Sequence, residues 1–383
     1  MKIIFYKWSL IAVMIYTQIF ANSCNNSSVD KSAKATGTII WVKKLSADPE
    51  NSGTVGYLLT EDQKVFAVTQ KKILAFDNDG NKLWDRDHWP LSPVSLRFNK
   101  IYFTSSEKKS QMQAVDFDNK ILIEDFWMPE VVERSFPVLF EPVEKGLIAQ
   151  VQYQPDPDTG PMGFVIYRIH DGALGTEWEI NFNKQKSKVI PIINLDKNIL
   201  VTNNIDNAYV FDINGKGNNI KPLFEFPLPL GERTMWLSSS KNGDLFWLGV
   251  ENKETLLKAT NTKGELLWEW KSGEADFSNF ASPILPTIAA SEIQYVITLK
   301  KLFAFKSGKK IWEIESDSVN FSNATALSDN TILVIMGSKL IQFNSEGKEI
   351  FKLDFGENIV TAPVIDENGQ IYVASNGNIY AVK

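Results

Sequence analysis

Apolar residues come in short runs, alternating with polar ones and bounded by Gly, Asn, Asp and Ser. That pattern predicts short strands joined by tight turns, and from Gly37 onward no long amphipathic helix interrupts it. One stretch sets the type. Leu302–Glu315, LFAFKSGKKIWEIE, reads as a strand, a turn closed by Gly308 and a second strand carrying Trp312. It recurs as Ile73–Asp87 with Gly80 and Trp84, and as Leu256–Lys271 with Gly264 and Trp268. In Leu340–Asp354 it has Gly347, with Phe351 in the Trp place.

Taken as four strands, the unit divides the chain at Gly53–Asp87, His88–Trp127, Arg134–Phe182, Val189–Phe226, Arg233–Lys271, Asn279–Glu315, Asn323–Asp354 and Val360–Lys383. In the second, Asp118-Asn119 replaces the turn Gly and Ile123 the Trp. The third carries Trp178, and the fourth, with its turn at Asn214-Gly215, has no Trp. The last unit stops before its turn and final strand, but Gly37 and Trp41 at the other end have the spacing of Gly308 and Trp312. The N-terminal strand is therefore expected to complete the last sheet, which removes free sheet edges that would template aggregation. The expected fold is all-β: a single eight-bladed β-propeller of four-stranded antiparallel blades over residues 37–383. Trp41, Trp84, Trp178, Trp268, Trp312 and Phe351 are expected to dock blade on blade. A large aromatic buries much area, and an indole N–H reaches a carbonyl.

Composition narrows the function classes. The chain has 383 residues and a net charge of −6, with no basic block, so nucleic acid is a poor partner. Its single cysteine, Cys24, and two histidines, His88 and His170, leave no intrachain disulfide and no Cys/His zinc site of the usual spacing. No cofactor or metal is expected. Asp156–Gly160 lacks the further oxygen donors of a calcium loop, and reads as a turn.

Lys2 and Lys7 precede an apolar run, Trp8–Phe20, and then Ala21-Asn22-Ser23 and Cys24. The run is short for a membrane span, which needs roughly 20 residues. It fits a secretory signal over residues 1–23. Small residues before the one cysteine resemble a bacterial lipobox, which implies lipidation of Cys24. The alternatives are a secreted protein with an incidental cysteine and an uncleaved anchor. Asn25–Thr36 is polar and reads as a flexible tether.

The pattern apolar-x-Ala-x-Asp-x-x-Gly-x-x-x-Trp is carried by Ala75, Asp77, Gly80 and Trp84. Parts of it recur at Gly264 and Trp268, at Ala304, Gly308 and Trp312, and at Gly37 and Trp41. It resembles the tryptophan-docking repeat of PQQ-like β-propellers over nearly all of residues 37–383. One branch of that family is the quinoprotein dehydrogenases, which hold pyrroloquinoline quinone and a metal, often under a vicinal cysteine pair that this chain lacks. The other is the lipid-anchored, BamB-like scaffolds of outer-membrane protein assembly. The second resemblance implies a non-enzymatic outer-membrane lipoprotein that binds envelope proteins. The quinoprotein reading and a surface-exposed ligand-binding propeller stay open beside it. Connector aromatics Trp89, Trp127, Met128, Phe277, Phe280 and Phe321 are the candidate partner-binding residues, since anchors on loops of a rigid scaffold are common binding groups. Capping of the blade ends is the structural alternative.

Overall fold

The structure is a computed structural model. It describes residues 37–383 apart from 46–54, 89–92, 106–110, 128–135, 144–145, 154–162, 171–175, 183–191, 195, 205, 217–219, 231–233, 253, 274–286, 289–292, 299 and 317–319. The described elements are all strands, arranged in eight four-stranded antiparallel sheets. Seven are built from consecutive strands, within 55–87, 95–127, 136–182, 192–227, 234–271, 287–315 and 321–354. We number these sheets one to seven. Sheet eight is composite: Val364–Ile365, Ile371–Ala374 and Asn378–Val382 are completed by the N-terminal strand, Ile39–Lys44. Thr38 and Lys383 close that pairing with two backbone hydrogen bonds of 2.9 Å.

The expectation of a single eight-bladed propeller is corrected. The chain divides into two compact units. The first holds sheets eight, one and two with most of sheet three, and the second holds sheets four to seven with most of the strand Thr176–Phe182. The physical reason lies in what a repeat encodes. Each repeat specifies its own hairpins and its contact with a neighbouring sheet, and no residue within it records how many sheets group together.

Within the first unit, Tyr372, Ala374 and Ala381 of sheet eight pack on Leu58, Ala67 and Phe76 of sheet one. Phe66 and Ile73 of sheet one pack on Phe103 and Phe117 of sheet two. Tyr102 and Ala114 continue onto Leu147 and Tyr167 of sheet three. The second unit repeats this through Trp247 between sheets four and five, Phe303 and Phe305 between five and six, and Tyr295 and Ile341 between six and seven. Middle strands are buried on both faces, which is why they read as near-continuous apolar runs.

The docking expectation acquires a geometry. The aromatic residue on the fourth strand of one sheet lies over the turn of the next. A Cβ added to Gly80 would sit 2.8 Å from the Trp41 ring, one on Gly308 2.6 Å from Trp268, and one on Gly347 2.9 Å from Trp312. These glycines also have φ of +82°, +77° and +79°, so the turn demands glycine twice over. The indole N–H then donates to the turn: Trp41 to the Asn78 carbonyl (2.7 Å), Trp84 to Phe117 (2.9 Å), and Trp312 to Ser345 (2.8 Å). Each acceptor directly follows an Asp or Asn whose side chain caps the turn. Asp77 Oδ1 accepts from the amides of Asp79 and Asn81, Asp116 from Asp118 and Lys120, and Asn344 from Glu346 and Lys348. Opposite the docking residue, the third strand carries a fully buried alanine: Ala381 opposite Trp41, Ala75 opposite Trp84, and Ala304 opposite Trp312.

The fourth unit, which lacks a Trp, keeps the arrangement. Phe226 pairs with Ala208, and its ring would lie 2.3 Å from a Cβ on Gly264. In sheet two the turn residue is Asn119 at φ +67°, a region Asn tolerates, and Arg86 Nε donates to its Oδ1 at 2.6 Å.

The substitution Gly308→Ala is expected to destabilise the second unit by about 2 kcal/mol or more, from left-handed strain plus the clash with Trp268. Trp312→Phe, which keeps the ring and loses the bond to Ser345, is expected to cost about 1 kcal/mol. Urea unfolding of the variants measures both, and equal stability of Gly308→Ala and the unaltered chain would remove the steric account.

Candidate partner surface

The fourth strand of each sheet is an edge, with one row of backbone groups unpaired by the sheet. In six of the sheets its ladder with the third strand shifts just before the docking residue, whereas in sheet four it runs without a shift. Ala75 pairs with Trp84 and Phe76 with Lys82, so Leu83 is an extra residue. The same bulge makes extras of Ile40, Leu122, Leu267, Ile311 and Ile350. A bulge places two residues opposite one and re-aims a side chain. In all six the re-aimed side chain is aliphatic, directly precedes the docking residue and is 43–49% exposed. The bulge thus explains the sequence spacing: it lets the aromatic turn inward after a residue that turns out.

Charged side chains accompany the bulges on most of these strands. Lys82 pairs with Asp85 and Lys310 with Glu313, each three residues apart, while Lys258 lies 3.4 Å from Glu269 and Lys271 2.7 Å from Glu254. Hydrogen bonding to Lys82 holds Asp85 below the usual carboxylate range, and Lys310 does the same for Glu313. Such exposed pairs contribute little stability, but charge along an edge opposes uncontrolled strand pairing. At Asp77, burial works to raise the pKa, but hydrogen bonds from Asn81, Asp79 and Gly80 outweigh it and leave it lowered. That carboxylate is a turn cap.

One acidic group is held at the start of sheet eight. Tyr380 Oη and Asn378 Nδ2 both donate to Glu357 Oε1, the second at 2.6 Å, and the Phe355 ring lies 4.7 Å from that of Tyr380. The Tyr380 bond, with help from Asn378 and Ser375, lowers the Glu357 pKa. Burial and the adjacent carboxylate push Tyr380 up to about 12. The cluster fixes the connector that leads into the last sheet.

Of the candidate partner-binding residues, Phe321 is described in full. It opens the first strand of sheet seven, is 1% exposed, and packs against Tyr295 and Val334. That corrects its assignment to a connector. Trp127 ends the last strand of sheet two opposite Gln111, and its side chain lies outside the described residues. Trp89, Met128, Phe277, Phe280 and Cys24 also lie outside them, as does the Asp156–Gly160 loop. Trp178 is on the strand Thr176–Phe182, its side chain again outside the described set. Phe351 pairs with Gln342 instead of an alanine. Sequence reading missed both Phe226 as a docking ring and the bulge aliphatics. The residue just before each Trp was the available signal. Among the described residues, no cluster of His, Cys, Asp and Glu has metal-site geometry, and no helix is long and apolar enough to cross a membrane.

Residues 300–383 match the family model of the outer membrane protein assembly factor BamB. Over those residues the repeat is of the PQQ-like type. No curated protein sequence matches the chain. Among solved structures, BamB from Moraxella catarrhalis superposes with a TM-score of 0.60 at 12% identity, covering 90% of this chain and 96% of that one. The quinohemoprotein alcohol dehydrogenase ADHIIG from Pseudomonas putida HK5 gives 0.65 at 9% identity, covering 97% and 81%. Hsv2 from Kluyveromyces lactis gives 0.53 at 11%, covering 78% and 98%. At these identities the likeness is one of fold.

Because Glu357 titrates lower in the folded chain than unfolded, its bonds stabilise fully above the unfolded carboxylate pKa and are lost as pH falls through the folded one. Thermal unfolding between pH 6 and 3 is expected to show an acid loss that Glu357→Gln flattens. Parallel pH profiles for the two proteins would sink this assignment.

Proposed function

We propose that the chain is a non-enzymatic scaffold of the bacterial cell envelope, lipid-anchored through Cys24 at the outer membrane, whose sheet edges and connectors bind other envelope proteins. The observation that carries this reading is the aliphatic residue set outward at the bulge of six outer strands. Single exposed aliphatics are ordinary on protein surfaces. Six at one structural position, each on an edge strand able to accept a further strand, give a repeated apolar contact of the kind strand-addition partners use. The match of residues 300–383 to the BamB family, whose name is that of an outer-membrane assembly factor, supports protein partners as the ligand class.

The combined substitution Leu267→Ser, Ile311→Ser and Ile350→Ser is expected to leave unfolding nearly unchanged and to abolish cross-linking to envelope proteins in intact cells. Trp89→Ala with Trp127→Ala tests the connector contribution in the same assay. Full cross-linking by folded versions of both variants would remove the scaffold surface. The fold shared with the alcohol dehydrogenase favours one second reading, a quinoprotein enzyme. Purified protein given pyrroloquinoline quinone and calcium would then acquire quinone absorbance and reduce a dye with an alcohol substrate. The scaffold reading expects neither.

A further inference from the structure

The N-terminal strand differs from every other outer strand. The remaining seven, Lys82–Asp87, Ile121–Trp127, Thr176–Phe182, Phe224–Pro227, Leu266–Lys271, Lys309–Glu315 and Glu349–Asp354, each contain at least one acidic residue. Ile39–Lys44, IIWVKK, contains none and ends in two lysines. Its burial alternates strictly, turning Ile40, Val42 and Lys44 to one exposed face, with Ile40 47% and Val42 50% exposed. At the position of Val42, next after the docking residue, the corresponding strands place charge: Asp85, Glu269, Glu313 and Lys352. The one outer strand without an acidic residue is thus apolar at its start and basic at its end, in a chain that is acidic overall.

Place in the chain selects the occupant. Ile39 follows Cys24 by 15 residues, a contour of at most about 50 Å. A chain attached to a membrane at Cys24 keeps this strand within reach of that membrane, and no other outer strand is so close to Cys24 in sequence. We propose that the face formed by Ile40, Val42 and Lys44 rests on an anionic phospholipid surface, the two aliphatic side chains entering the interface and Lys44 meeting lipid phosphate. The proposal rests on the lipid-anchored reading above. Opposite charge favours this face over the acidic outer strands, which an anionic surface repels. The contact is a second attachment point: it orients a tethered protein, and does not by itself hold a free one. The strand is also hydrogen-bonded to Asn378–Val382, and its Trp41 is docked on sheet one, so the orientation is transmitted to the packed core.

The test places a photo-crosslinking amino acid at position 42 of the full chain, and for comparison at 267, 311 or 350. The protein is tethered to phosphatidylcholine vesicles with or without phosphatidylglycerol. Reactivity of Cys24 toward a thiol reagent reads the anchor separately. A free thiol removes the anchor reading, and is then coupled to a thiol-reactive headgroup so that position 42 is still read on tethered protein. The expected result is a phospholipid adduct at 42 severalfold above the comparison positions. It requires phosphatidylglycerol and is lost in high salt and in Lys44→Glu. Equal adducts at all positions, or none at 42, overturn the proposal. So does a cross-link from 42 to a second copy of the chain, or to another envelope protein when the label is placed in cells.

Discussion

A flat aromatic ring laid on a residue that has no side chain is the contact on which the fold depends. It forces several choices at once. The turn must reach a left-handed φ at the residue under the ring, as Gly80, Gly308 and Gly347 do. The carbonyl that receives the indole N–H must be held in place, which Asp77 and Asn344 do by capping the amides beyond it. The third strand must leave room, which Ala75 and Ala304 provide. Where the ring is Trp41, Trp84 or Trp312, the sheet is thereby fixed to its neighbour by shape and by one hydrogen bond that excludes a sliding register. Most of the stabilisation is burial of apolar area, while the directional bond decides which of many similar packings is adopted.

The same contact has an outward consequence. On six of the fourth strands one residue is inserted just before the docking residue, and the bulge turns it to solvent, whereas Phe226 reaches its turn without one. An interior requirement therefore produces a surface feature at a fixed place on strand after strand. Where the extra residue is Leu or Ile and the next outward residue is charged, the edge is apolar yet guarded. On the N-terminal strand the next outward residue is Val42 instead, and the chain before it leads back to Cys24. The scaffold and lipid-contact readings both draw on this by-product of docking.

Much of this was legible in one dimension because the repeat is local. Gly, the cap residue, the small residue and the aromatic lie within about a dozen positions, so Leu302–Glu315 displays the whole hairpin. Even the composite last sheet could be read, since Gly37–Trp41 restates a spacing found elsewhere. Phe226 was harder. It docks with neither the Trp identity nor the usual spacing, and only its position over Gly264 reveals the role. Phe321 was misread for a related reason. A lone aromatic at a strand start looks the same whether it faces solvent or Tyr295.

The sequence alone determined the all-β class, the four-stranded unit, the turn chemistry and the pairing of the two chain ends, because each is set by residues close together or by recurrence of one pattern. Tertiary structure decided the rest: the division of the sheets into two units, the substitution of Phe226 for a Trp, and the outward turn of Ile40, Leu83, Leu267, Ile311 and Ile350. Period-two alternation assigns a residue to one face or the other only while the ladder is regular. A single inserted residue reverses that assignment. Whether the insertion is made depends on where the next sheet's turn lies, a distance no local pattern contains.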